Sequence, residues 1–327
     1  MLRIIDVHNH YYPPAYLDAL ERGPSAVRIT HDEEGNPLLH YPGDYNVAVR
    51  GHRDLDYREG VLAREDVELQ VVSLTTPGTH VEDAARAVTL ARLVNDDFAA
   101  ASKRPAGRFA AYATLPLNDP AAAADELERA VRQLGLPGAM VFANVNGMAL
   151  ADDRFLPLWE RADALGAVIH IHPTAPPGVE AMTDYWLMPL VGFLMDTTLA
   201  AAHLVFRGIP ERFPNIRWVL GHLGGTIPYL AERLDRGWHA FEECREHIDR
   251  PPSEYLRAFY YDGVNFDPAA LRLAVDFAGA SQILAGSDYP HQIGSIPHMK
   301  EMLAGAGLSE AERRAISHEN AAGLLGV

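Results

Sequence analysis

Short apolar runs rich in Val and Ile, each bounded by turn residues, recur along the chain at residues 2–7, 69–74, 109–115, 139–143, 167–171, 216–220, 259–264 and 282–285. Runs of this length suit strands covered on both faces, which read as continuous apolar stretches rather than as alternation. Between most of them lie alanine-rich stretches with helical spacing, at 81–101, 121–134, 156–165 and 227–247. Strands alternating with helices imply parallel βαβ units, and right-handed crossovers wind them one way. Eight repeats in about 300 residues suit a closed (β/α)8 TIM barrel, an α/β fold, better than an open doubly wound sheet. No glycine-rich dinucleotide fingerprint follows the first strand; Asp6-Val7-His8-Asn9-His10 stands there instead.

Two segments exceed the basic repeat. Residues 18–64 mix Gly, Pro, Asp and Tyr irregularly and read as an insertion after the first strand, a small hairpin covering the barrel mouth. Residues 174–213 follow the fifth strand and carry Tyr185-Trp186-Leu187-Met188-Pro189. Near the end, Ser309 and Glu312 form a capping box that opens a helix over 309–325. No linker or low-complexity stretch interrupts the pattern, so residues 1–327 are expected to form a single domain.

Composition narrows the partners. With 48% hydrophobic residues the chain has material for a large core. A net charge of −16 disfavours nucleic acid or an anionic membrane as the main partner, because phosphates repel an acidic surface. The one cysteine, Cys244, permits no intrachain disulfide and suits a reducing cytoplasm. The first residues run straight into strand-like sequence without the apolar segment of a signal peptide, and no apolar run approaches the roughly 18 residues needed to span a bilayer. A soluble cytoplasmic protein is the expectation.

The candidate chemistry lies where the runs end, since a barrel enzyme builds its site at the C-terminal ends of its strands. The first run leads into His8-Asn9-His10, two imidazoles that share one face of an extended chain. The fifth leads into His170-Ile171-His172-Pro173, with His172 at the mouth and His170 one layer deeper, where a hydrogen-bonded neutral histidine is the commoner outcome. The sixth ends in Gly221-His222-Leu223-Gly224-Gly225, leaving an imidazole with little steric cover. The eighth ends in Gly286-Ser287-Asp288-Tyr289-Pro290, and a carboxylate directly after an apolar strand is costly to bury unless it meets a cation. His8, His10, His172 and Asp288 would supply three nitrogens and one oxygen to one divalent metal, Zn2+ first, with Mn2+, Fe2+ or Co2+ as alternatives.

These motifs, in this order, resemble the amidohydrolase superfamily and in particular its decarboxylase-rich branch, over nearly the whole chain. The leading His8-x-His10 is similar to the semialdehyde and isoorotate types rather than to the gamma-resorcylate type. The resemblance implies that His8, His10, His172 and Asp288 ligate the metal and that His222 is the catalytic histidine; in a decarboxylation either His222 or Asp288 would deliver the proton to the carbon that loses CO2. It implies further that Trp186 lines the substrate site and that Arg233 binds a substrate carboxylate across a homodimer interface. The family's substrate-binding arginine before the second strand has no secure counterpart; spacing places Gly60 there, with Arg58 and Arg64 as neighbours, and Arg58 is carried forward as the candidate. Lysine occurs only at positions 103 and 300, neither near the end of the fourth strand, so a carboxylated lysine bridging two metals is not expected. The expected activity is nonoxidative decarboxylation of a small unsaturated or aromatic carboxylic acid. The alternative is hydrolysis or hydration at the same mononuclear site; a barrel that binds metal without turnover is the third reading.

Overall fold

In the computed structural model, which describes residues 3–41 and 44–327, the eight apolar runs become strands, and five further short strands lie between them. In chain order these are β1 (Ile5–His10), β2 (Arg28–His31), β3 (Pro37–Tyr41), β4 (Asp44–Val47), β5 (Leu69–Ser73), β6 (Phe109–Ala111), β7 (Gly138–Phe142), β8 (Asn144–Val145), β9 (Met148–Ala149), β10 (Val168–His172), β11 (Arg217–Leu220), β12 (Tyr260–Asp262) and β13 (Ile283–Leu284). Leu2, expected at the start of the first strand, lies outside the described residues.

β1, β5 and β6 pair in parallel, and so do β7, β10, β11, β12 and β13. Two seams join the groups. Ala113 bridges Ala139 on one side; on the other Asn9 bridges Tyr289, and the Val7 amide donates to the Ala285 carbonyl at 2.9 Å. Eight parallel strands therefore close into a ring, and the (β/α)8 barrel is the fold. All residues of β7 and β10 are buried, which is why these strands read as unbroken apolar runs. The crossover helices start where the sequence offers a cap: Asp83, Asp119, Asp267 and Ser295 each accept a hydrogen bond from a first-turn amide, and Pro120 and Pro268 follow two of them. The Ser309–Glu312 capping box is present with both of its hydrogen bonds.

Three expectations change. The first strand runs through His10 rather than ending before His8, and a bulge shifts its register between Asp6, opposite Gln70, and Asn9, opposite Val72. The segment 18–64 is not a hairpin. It holds the end of the helix Pro14–Arg22, a three-stranded antiparallel sheet β2–β3–β4, and the helix Leu55–Arg64, which is the first crossover helix. Finally, the helical run Met188–Phe206 is 19 residues long and apolar enough to cross a membrane by length and composition, against the expectation of no such run. Here it packs along the barrel, and its Asp196 carboxylate accepts from Asn144 Nδ2 at 3.0 Å and from the Thr174 amide at 2.9 Å.

The core is continuous from Ile4 to Leu324 and includes Leu39 of the inserted sheet. That sheet is docked on the rim just past β5: Tyr41 Oη donates to Thr76 Oγ1 at 2.9 Å, and Asn46 Nδ2 to the Thr76 carbonyl at 2.8 Å.

Candidate metal centre

Four side chains from three parts of the ring converge. One ligand-type atom each from His8, His10, His172 and Asp288 lies within 4.8 Å of the others, and all four residues are buried. Their imidazoles stand edge to face, with centroids 5.0 Å apart for His8 and His10, 4.8 Å for His10 and His172, and 5.1 Å for His8 and His172. Asp288 Oδ1 lies 3.1 Å from His10 Nε2 and 3.4 Å from His8 Nε2. The contact to His8 is poorly aligned, so this wholly buried nitrogen has no hydrogen-bond partner among the described residues. A lone pair without a protein partner at the centre of three nitrogens and a carboxylate fits a site that holds a cation.

Each ring is held from behind, which directs its other nitrogen inward. His8 Nδ1 is 2.7 Å from Asp262 Oδ2, His10 Nδ1 is 3.2 Å from Ser73 Oγ, and His172 Nδ1 is 2.7 Å from the Pro173 carbonyl. Asp262, at the end of β12, does the most: it also meets His170 Nε2 at 2.8 Å and accepts from the His222 amide at 2.9 Å. His170 is thus the inner histidine its position implies, hydrogen-bonded through Nε2, while its buried Nδ1 has no partner among the described residues. Asp262 was not foreseen, although it carries the signal that found Asp288, a carboxylate where an apolar strand ends. His52 and His291 were also missed; their rings are 4.9 Å apart, and that of His291 is 4.8 Å from His10.

The loops behind the centre are tightly fixed. Asp6 accepts from Ser287 Oγ at 2.6 Å and from Gln70 Nε2 at 2.7 Å, and the Asp288 amide donates to the His8 carbonyl at 2.8 Å. Asp288, His222 and Leu223 all take positive φ (54°, 54° and 52°), a conformation that costs about 1–3 kcal/mol per residue and survives only where the surroundings impose it. Glycine is required after His222: a Cβ on Gly225 would sit 2.1 Å from the Leu194 carbonyl.

Electrostatics point to a cation. Burial holds His10 and His172 well below the usual imidazole range and His222 at about 4. For His8 burial acts the same way, but Asp262 and Asp288, flanking its two nitrogens, outweigh it and lift the ring to about 10. Burial alone would raise both carboxyls, yet the neighbouring imidazoles keep Asp262 and Asp288 well below the usual carboxylate range. Two buried carboxylates carry two negative charges, and a protonated His8 among neutral-leaning His10, His172 and His222 balances only one of them, so a divalent ion meets the demand better than a proton.

His222 stands beside this group, its ring centroid 4.9 Å from His8 and its Nε2 4.0 Å from Asp288 Oδ2. The three expected substrate contacts fare differently. Trp186 is 54% exposed on the loop after β10 and touches Tyr45 of the inserted sheet. Arg233 is exposed on the helix Ile227–Ala240 and has no ion pair or hydrogen bond among the described residues. The assignment of Arg58 is corrected. It is fully buried, its Nη2 donates to the carbonyls of His10 at 2.8 Å and Tyr289 at 3.3 Å, and its guanidinium covers the Tyr289 ring. It clamps the two ligand-bearing segments together from behind and has no face left for a substrate. Lys300 pairs with Glu65, and β7 carries no lysine, consistent with a centre for one ion.

The model of the Amidohydrolase family matches residues 5–327. The chain is 32% identical over 329 residues to a 2-amino-3-carboxymuconate-6-semialdehyde decarboxylase of Dictyostelium discoideum, an alignment covering 99% of this chain and 91% of that protein. Among solved structures, 5-carboxyvanillate decarboxylase from Sphingomonas paucimobilis superposes with a TM-score of 0.86 at 28% identity, covering 100% of both chains. The dihydroxybenzoic acid decarboxylase from Polaromonas sp. JS666, determined with bound manganese and the inhibitor 2-nitroresorcinol, gives 0.83 at 27% identity over 99% of this chain and 97% of that one.

Proposed function

The chain belongs to the amidohydrolase family, and from that premise we propose that it is a metal-dependent carboxy-lyase acting on a small aromatic or unsaturated carboxylic acid. The observation that carries the reading is the buried cage of His8, His10, His172 and Asp288 with His222 at its edge. An ion held by these four residues supplies positive charge where negative charge builds as the carbon–carboxyl bond breaks.

The protein's own groups do the rest. Loss of CO2 leaves the bonding electrons on the substrate carbon, which must then receive one proton. His222 Nε2 and Asp288 Oδ2 face each other at 4.0 Å; the acid gives up its carboxyl proton to this pair as it binds as the carboxylate, and once CO2 has left the pair returns that proton to the carbon lodged beside it. The His222 amide, tied to Asp262, and the glycines after it fix where the ring points. Trp186 on the loop after β10 lies against a planar substrate and keeps water out. Arg233, free and exposed, reaches the acid group of a substrate bound in the partner subunit of a homodimer. The ion is Zn2+ or Mn2+: three imidazole nitrogens and a carboxylate oxygen suit the first, and a similar structure contains the second.

The test is incubation of metal-loaded protein with salicylate-type, resorcylate-type and aminomuconate-type acids while CO2 is measured. Release of CO2 in step with loss of the acid supports the proposal. Ring opening or addition of water without CO2 would replace it with hydrolysis or hydration.

A further inference from the structure

β1 and β10 are the first and fifth strands of an eight-strand ring, so they stand on opposite sides of the mouth. The chain leaving β1 builds the inserted sheet; the chain leaving β10 builds the loop that carries Trp186. The two meet. The rings of Tyr45, on β4, and Trp186 lie 5.7 Å apart at 59°, and His40 stacks on Tyr45 at 5.7 Å and 28°. Segments that start from opposite rims can touch only by reaching over the mouth between them.

The two sides of this contact are unequal. The inserted sheet is pinned to the rim through Tyr41, Asn46 and Thr76. On the other side, no side chain of residues 176–191 makes a hydrogen bond or ion pair among the described residues, and Tyr185 is 85% exposed. Tyr185 and Trp186 nevertheless both adopt positive φ, 55° and 57°. That backbone is strained and is held within the loop by the Leu187 amide on the Asp184 carbonyl at 3.0 Å and the Leu190 amide on the Trp186 carbonyl at 3.1 Å; outside the loop, the ring that Trp186 meets among the described residues is Tyr45.

We propose that Tyr45 is the positioning residue that holds Trp186 as the roof of the substrate pocket. The pair is a clasp: the loop after β10 lifts to admit a planar acid and settles back on the fixed sheet once the acid is bound. The decarboxylase reading enters only through the class of substrate. The contact itself does not depend on it.

The experiment compares Tyr45→Ala and Tyr45→Phe in the metal-loaded protein. The first readout is acrylamide quenching of Trp186, obtained by subtracting the emission of the same protein carrying Trp186→Phe, so that Trp159, Trp218 and Trp238 cancel. It needs no turnover. Tyr45→Ala should make Trp186 more quenchable and Tyr45→Phe should leave it unchanged. The second readout is kinetic. An aromatic pair of this kind corresponds to about a two- to tenfold change in binding, so KM should rise by about that factor in Tyr45→Ala with kcat nearly constant, and Tyr45→Phe should restore it. In a Trp186→Ala background, Tyr45→Ala should add no further increase. Unchanged quenching in Tyr45→Ala, or additive KM effects in the double variant, overturns the clasp. If no acid is turned over, the functional reading falls while quenching still tests this contact.

Discussion

Asp262 shows how one side chain can organise a centre from outside the four converging side chains. Its carboxylate binds His8 Nδ1 and His170 Nε2 and receives the His222 amide, so it sets the tautomer of one ligand and the position of the proposed acid–base residue. Asp262→Asn keeps the shape but removes the charge that makes His8 basic; metal affinity should fall about 10- to 100-fold, measured by competition with a chromophoric chelator. Affinity equal to that of the parent protein would show that His8 is oriented by something else. His222→Ala should lower kcat by about 10²–10⁴-fold with one metal per chain retained by elemental analysis. Loss of the metal would instead make His222 a ligand. Arg58, by contrast, owes its place to backbone carbonyls, and a substitution there should loosen the ligand-bearing loops rather than weaken substrate binding alone.

Among the elements, the helix Phe193–Phe206 has a role its apolar composition hides. Asp196 in its first turn ties it to Asn144 and to the Thr174 amide, two residues past His172, and so steadies the chain leaving β10. Burial outweighs those hydrogen bonds and pushes the Asp196 carboxyl up to about 6. Because the folded-state value lies above the ordinary one, the protonated form stabilises the fold: the contribution is fully present below about pH 4 and is lost as the pH rises through 6. Urea unfolding of metal-stripped protein should therefore show a decline of about 2 kcal/mol from this group between pH 4 and 6, and Asp196→Asn should flatten it. Identical profiles for the two proteins would mean that the carboxyl titrates normally.

At the scale of the whole molecule, the centre joins segments from the first, fifth and eighth strands of the ring, so an ion bound there clips distant parts of the chain together. An ion that binds only the folded state at 100 times its dissociation constant adds about 2.7 kcal/mol. Metal-stripped protein should melt several degrees lower than protein reloaded with Zn2+ or Mn2+, and the gap should vanish in Asp288→Ala. Uptake should also release protons, because the ion displaces the charge that His8 otherwise carries; pH-stat titration reads this directly.

Much of this was legible in the chain itself. Eight apolar runs and their helical partners determined the barrel, because strands buried on both faces must be apolar throughout. The histidines and Asp288 stood out because polar groups at the ends of such runs need a reason to be there. Asp262 obeyed the same rule and could have been found by it. Other features were decided only by tertiary structure. Nothing local distinguishes Arg58, which donates to carbonyls 48 and 231 residues away, from an arginine facing a substrate. The inserted strands β2–β4 are partly solvated and irregular in pattern, so their pairing depends on the rim they dock against. Tyr45 and Trp186 are 141 positions apart and meet because ring closure sets β1 opposite β10. Periodicity records which face of an element is buried; it carries no information about which distant partner arrives there.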